Sequence, residues 1–132
     1  MTVEPLPTPG APPVFGPYSP AVRAGDFVVL AGQIGVGADG KLVDGGIEAE
    51  ARQVLANIGA VLADCGVGWG DVVRTGIFLT DLGNFGVVNA LYEGAIGDHR
   101  PARSTIGVAA LPAGAQVEIE CWAYDPRGST ER

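Results

Sequence analysis

The chain lacks long apolar runs, has a single histidine and two cysteines, and carries few charges for its length. No stretch approaches the roughly 18 consecutive apolar residues that a membrane-spanning helix needs. The opening residues, MTVEPLPTPGAPP, have neither a basic n-region nor an apolar h-region, so no secretory signal is expected. His99, Cys65 and Cys121 show no metal-ligand spacing, and no metal site is expected. The two thiols are expected as reduced core residues of a cytoplasmic protein. Charged residues make up 17% of the 132 positions, and the net charge is −7. That balance, with a pI near 4.4, argues against a broad phosphate-binding surface and makes a nucleic-acid partner unlikely on charge alone. Gly32, Gly35, Gly37 and Gly40 do not have the spacing of a phosphate loop or dinucleotide fingerprint.

What is present is apolar and patterned. Hydrophobic residues are 47% of the chain, enough for one domain over residues 1–132 with a real core. Residues 1–13 hold five of the ten prolines and read as an irregular arm; residues 126–132 read as a flexible tail. Phe27 to Gln33 (FVVLAGQ) is β-branched and apolar and predicts a strand, followed by a glycine- and aspartate-rich loop over 35–46. Ile47, Ala51, Val54, Leu55, Ile58, Val61, Leu62 and Cys65 form a helical stripe, with Glu48, Glu50, Arg52 and Gln53 off it and Gly66 placed to end it. A second helix carries Phe85, Val88, Leu91, Tyr92 and Ala95, with Asn84 as its expected N-cap.

Three further segments alternate with period two. Asp71 to Thr80 sets Val73, Thr75, Ile77 and Leu79 on one face; Ala102 to Ala110 sets Ser104, Ile106 and Val108; Ala115 to Tyr124 sets Val117, Ile119, Cys121 and Ala123. A short Leu-Pro-Ala-Gly turn between the last two predicts an antiparallel hairpin. The order predicts an α+β fold, a sheet with both helices on one face.

The opposite face is expected to carry Arg74, Gly76 and Phe78, then Arg103, Thr105 and Gly107, then Gln116, Glu118, Glu120, Trp122 and Tyr124. Aromatics, glycines and a few charges in such a mixture suit a protein–protein interface, and self-association about a symmetry axis would cover it. The alternative cover is the N-terminal arm. In the hairpin register Gly107 faces Glu118 and Thr105 faces Glu120, which brings both carboxylates near Arg103. Spacing leaves two readings open: a plain cross-strand ion pair, or a guanidinium that receives a ligand carboxylate while a nearby glutamate handles a proton. Tyr18, stiffened by Pro17 and Pro20, is a candidate site-rim phenol or a lid over core. Asn89 is a candidate pocket residue or a partner for a loop backbone group. His99 and Arg100 read as solvent-exposed loop residues, and Asp71 and Asp81 as turn or cap residues.

Taken together, GPYSPAV (16–22), AGQIG (31–35), EAEARQVLANIGAVL (48–62), DVVRTGIFLTDLGNF (71–85), VNALYE (88–93), PARST (101–105) and VEIE (117–120) resemble the RidA/YjgF family, in order and spacing, along nearly the whole chain. The resemblance implies a chorismate-mutase-like mixed sheet with two helices on one side, and a homotrimeric barrel with sites between subunits. It implies hydrolysis of reactive 2-imino and 2-enamino acids, such as 2-aminoacrylate, to 2-oxo acids and ammonia, without a cofactor. It places the catalytic pair on Arg103 and Glu118, and substrate contacts on Tyr18, Gly32, Asn89, Arg103 and Thr105, the last through its backbone. Two departures stand out: Ala31 replaces a common serine, and Arg100 takes a position that is often aromatic. Two other readings remain open: a trimer that binds 2-oxo acids without turning them over, and an endoribonuclease, which the acidic composition disfavours.

Overall fold

A computed structural model describes residues 3–126. The tail expected from residue 126 on lies, apart from Pro126, outside them. Strands β1 (Val3–Pro5), β2 (Ala21–Ala24) and β3 (Phe27–Ile34) lead into helix α1 (Gly46–Asp64). Strand β4 (Val72–Leu79), helix α2 (Phe85–Ile96), strand β5 (Ala102–Gly107) and strand β6 (Val117–Tyr124) follow. The strands form one mixed sheet in the order β1-β2-β3-β6-β4-β5, with only β4 and β5 parallel. Both helices pack on one face, where Val54, Ile58, Leu62 and Val88 meet Val28, Ile77, Leu79 and Ile119.

Helix α1 follows its apolar stripe: Ala51, Val54, Ile58 and Val61 are fully buried. Its end is a Schellman turn. Gly66 adopts φ 79°, and the Gly66 and Val67 amides donate to the Ala63 and Leu62 carbonyls. Glu50, expected off the stripe, is instead buried. Helix α2 is entered through a single 3₁₀ turn, Leu82–Asn84. Asp81 caps that turn by accepting from the Gly83 amide, and Asn84, the expected cap, makes no side-chain cap bond.

The expected hairpin does not form. Strand β6 lies between β3 and β4, antiparallel to both, and β5 pairs with β4 in parallel across the α2 crossover. Burial decides this arrangement. Val117, Ile119, Cys121 and Ala123 are all fully buried, so β6 is worth most at the centre, whereas β5 leaves Ile106 49% exposed at the edge. The register Gly107–Glu118 and Thr105–Glu120 is therefore replaced: Phe78 pairs with Glu118 and Gly76 with Glu120. Strand β5 is also turned over relative to expectation. Arg103 pairs with Thr75 and Thr105 with Ile77, both buried on the helix side. Arg103 thus shares no face with Glu118, and Ser104 and Ile106 occupy the opposite face.

Two smaller differences have local causes. A register shift between Val72 and Arg74 turns Val73 outward and buries Val72 in its place. The proline-rich arm is not wholly irregular, since Val3–Pro5 adds an edge strand to β2, and β2 itself was not anticipated. The arm continues across α1, where the Gly10 amide donates to the Asp64 carboxylate at 2.7 Å. The sheet face away from the helices keeps Phe27, Trp122 and Tyr124 well exposed, with Phe27 packed against both other rings.

Candidate functional site

The predicted site residues fall into two groups, one on each side of the sheet. The first is built on a bulge. Between Leu30 and Gln33 the β3–β6 register shifts, so Ala31 and Gly32 have no paired partners on β6. The Glu118 side chain lies over this bulge; a Cβ at Gly32 would overlap its carboxylate, so only glycine leaves it room. Glu118, Gly32, Tyr18 and Ala31 line one cavity of about 300 Å³, walled on its outer side by Pro13 and Phe15 of the arm. The Tyr18 hydroxyl is tied to the arm by accepting from the Phe15 amide at 3.3 Å. Burial, and then the charge of Glu120, hold the Glu118 carboxyl above the usual carboxylate range. Among the described residues nothing donates a hydrogen bond to it. A carboxyl raised in this way holds its proton more readily than an exposed one, a property suited to an acid–base group.

The second group is built on α2 and β5. Arg103 and Asn89 line a cavity of about 390 Å³ together with Tyr92, Glu93, Arg100 and Pro101. The Arg103 guanidinium lies 5.1 Å from the Tyr92 ring centroid and 5.6 Å from that of Phe85. It has no carboxylate partner among the described residues; the ion pairs there are Arg23–Asp125, Arg52–Glu48 and Arg100–Glu93. The cross-strand ion pair weighed from spacing is thus absent. Arg103 is a half-buried cation whose in-plane donors are open to an anion. Thr105, two residues along the same face, has a buried Oγ1 without a hydrogen-bond partner there. Asn89 is half-buried on α2.

The structure therefore brings Tyr18, Gly32 and Glu118 together, and Arg103 with Asn89, but does not join the two groups within one chain. Arg100, expected exposed, is so, and pairs with Glu93 at 3.1 Å on the rim of the Arg103 cavity. His99, also expected in solvent, is half-buried, with Nε2 2.6 Å from the Val72 carbonyl oxygen. Glu50 was missed altogether. Its carboxylate accepts from both the backbone amide and the side-chain amide of Gln116, at 2.8 and 2.9 Å, and so pins the segment that leads into Glu118. Helical periodicity put Glu50 in solvent; its place between Ala49 and Ala51 was the only available signal. No group of three or more His, Cys, Asp or Glu side chains arranged for a metal occurs among the described residues, and no helix there is long and apolar enough to cross a membrane.

The sequence profile of the family described as Endoribonuclease L-PSP matches residues 8–125. A RutC family protein of Synechocystis is 43% identical over 129 residues, covering 96% of this chain and 99% of its own. The chain belongs to the RidA/YjgF family. A mouse member named 2-iminobutanoate/2-iminopropanoate deaminase is 42% identical over 114 residues, covering 86% of this chain and 84% of its own. The crystal structure of RidA from an Antarctic Psychrobacter superposes with a TM-score of 0.87 at 38% identity, over 92% of this chain and 98% of that one. Within this RidA/YjgF member the two departures noted in the sequence fall one on each cavity: Ala31 beside Glu118, and Arg100 beside Arg103.

Proposed function

We propose that the protein hydrolyses reactive 2-imino and 2-enamino acids to 2-oxo acids and ammonia, with Arg103 as the carboxylate anchor and Glu118 as the proton-handling group. The observation that carries this reading is Arg103, a guanidinium that makes no ion pair among the described residues, in a cavity whose lining carboxylate, Glu93, is paired with Arg100. A planar fork of donors takes a carboxylate through two parallel hydrogen bonds, which fixes the adjacent C=N carbon in space. The Thr105 carbonyl then accepts from the protonated imine nitrogen. Glu118 takes a proton from water as the oxygen attacks that carbon and returns it to the nitrogen; it then accepts the hydroxyl proton as the C=O forms and the C–N bond breaks, and releases that proton to solvent. One water enters and one ammonia leaves, so the reaction needs no further reactant.

Arg103 and Glu118 lie on opposite faces of one sheet, so they can meet on one substrate only if a neighbouring chain supplies one of them. We therefore propose a homotrimer of the chorismate-mutase-like kind, closed into a barrel by the face that carries Phe27, Trp122 and Tyr124, with each site shared between subunits. The deaminase names of relatives such as the mouse protein support the chemistry. The test is to generate 2-aminoacrylate in situ and follow pyruvate release. Acceleration by the wild type, with loss in Glu118→Gln, is expected. Binding of pyruvate without any acceleration would favour the non-catalytic 2-oxo-acid-binding reading instead.

A further inference from the structure

We infer that Phe85 and Tyr92 are positioning residues that hold the Arg103 guanidinium edge-on to its ligand, with the Thr75 hydroxyl locking Tyr92. The inference rests on Arg103 being the carboxylate anchor. Phe85 and Tyr92 are seven positions apart, which places them on one side of α2 about 10 Å apart along the axis. The Arg103 guanidinium carbon lies over both rings, 5.6 Å from the Phe85 centroid and 5.1 Å from that of Tyr92. Aromatic rings attract a guanidinium through their faces. Attraction to ring faces uses no N–H donor, so the in-plane donors that recognise a carboxylate keep no protein acceptor among the described residues. The Arg103 side chain forms no hydrogen bond or ion pair among the described residues, so the rings are its side-chain partners there. Its orientation therefore depends on the two rings.

The Tyr92 ring is itself fixed. Its hydroxyl lies 2.8 Å from the Thr75 hydroxyl, both buried, and Thr75 is the β4 residue paired with Arg103 on β5. Thr75 and Arg103 are thus neighbours across the sheet, each in contact with one part of the same tyrosine: the hydroxyl and the ring face. Phe85 differs in being 41% exposed, so it closes the clamp on the outer side without being needed for the core.

Calorimetric titration of the full-length protein with 2-oxobutanoate, alongside steady-state kinetics, tests the clamp. Tyr92→Leu and Phe85→Leu should each weaken binding about 3- to 30-fold and raise KM in parallel, with kcat changed less. Tyr92→Phe keeps the ring but loses the Thr75 lock, so its affinity should fall between those of the wild type and Tyr92→Leu; an affinity as low as that of Tyr92→Leu would assign the effect to the hydroxyl and overturn the clamp. Wild-type affinity in folded Phe85→Leu and Tyr92→Leu proteins, measured where Arg103→Ala has lost binding, overturns the clamp and leaves the anchor standing. Wild-type affinity in Arg103→Ala overturns the anchor, and the clamp with it. Should the Tyr92 variants fail to fold, the Arg103 side-chain proton resonances of the unaltered protein decide. Ring-current displacement is expected, and unshifted resonances overturn the clamp.

Discussion

Glu118 is acted on by two effects of the same sign: burial opposes its charge, and Glu120 on the same face opposes it further. If Glu118 must be ionised to accept a proton, kcat/KM falls as pH drops through its raised pKa, and the acid limb lies above the ordinary carboxylate range. Replacing Glu120 by Gln removes the lesser cause. The limb in Glu120→Gln should move to lower pH but stay above the ordinary value, since burial remains. A limb that does not move, in a protein that still turns over, would detach Glu118 from the observed titration. Gly32 offers a second residue-level test. A methyl there meets only the far end of the Glu118 side chain, which can swing away, so Gly32→Ala should change stability by less than about 1 kcal/mol. Turnover should nevertheless fall, by as much as ~10²–10⁴-fold if the displaced carboxylate supplies the acid–base step. Thermal denaturation and the pyruvate-release assay on the same sample separate the two effects. The roles proposed for Glu118 and Gly32 were accessible in the sequence only through family resemblance, because their contact arises from a bulge that alternation does not reveal.

Strand β6 makes the corresponding point at the scale of elements. Its existence and its buried face were legible from the alternation of Val117, Ile119, Cys121 and Ala123, but its neighbours were not. Period-two patterning says which side of a strand is apolar and nothing about which strands lie beside it. The short Leu-Pro-Ala-Gly turn suggested a hairpin. The burial of β6 between β3 and β4 overrode that local signal, and with it the expected meeting of Arg103 and Glu118 on one face. Val73 failed for a related reason, a one-residue irregularity that hands the core position to Val72. The helices were legible because regular apolar spacing over the 19 residues of α1 and the 12 of α2 outweighs any single exception. Glu50 is that exception, and it anchors the entry to β6. Glu50→Ala would leave the half-buried Gln116 donors without their acceptor and should cost about 1–3 kcal/mol, read as a lower urea midpoint with little change in slope. An unchanged midpoint would mean that water replaces the carboxylate and that β6 does not depend on the clamp.

The whole molecule carries two incomplete half-sites and one uncovered apolar sheet face. The cavity beside Glu118 has a carboxyl and no cation among its described lining residues, and the cavity beside Arg103 has the cation, with its lining carboxylate, Glu93, paired to Arg100. Closure of three chains about an axis accounts for both features together, because a heterologous ring repeats one contact three times and sets one half-site against the other. Subunit complementation tests this most directly. Arg103→Ala and Glu118→Gln proteins, each inactive alone, would be unfolded together in equal amounts, refolded, and assayed for pyruvate release from 2-aminoacrylate. A site that takes its arginine from one chain and its glutamate from the next is intact wherever the two parents are suitably ordered, about a quarter of all sites for random mixing in a ring. Recovery of roughly a quarter of wild-type activity in a trimer-sized species is the expected result. Mixed trimers as inactive as their parents, or a stable monomer at micromolar concentration, would contradict the shared site.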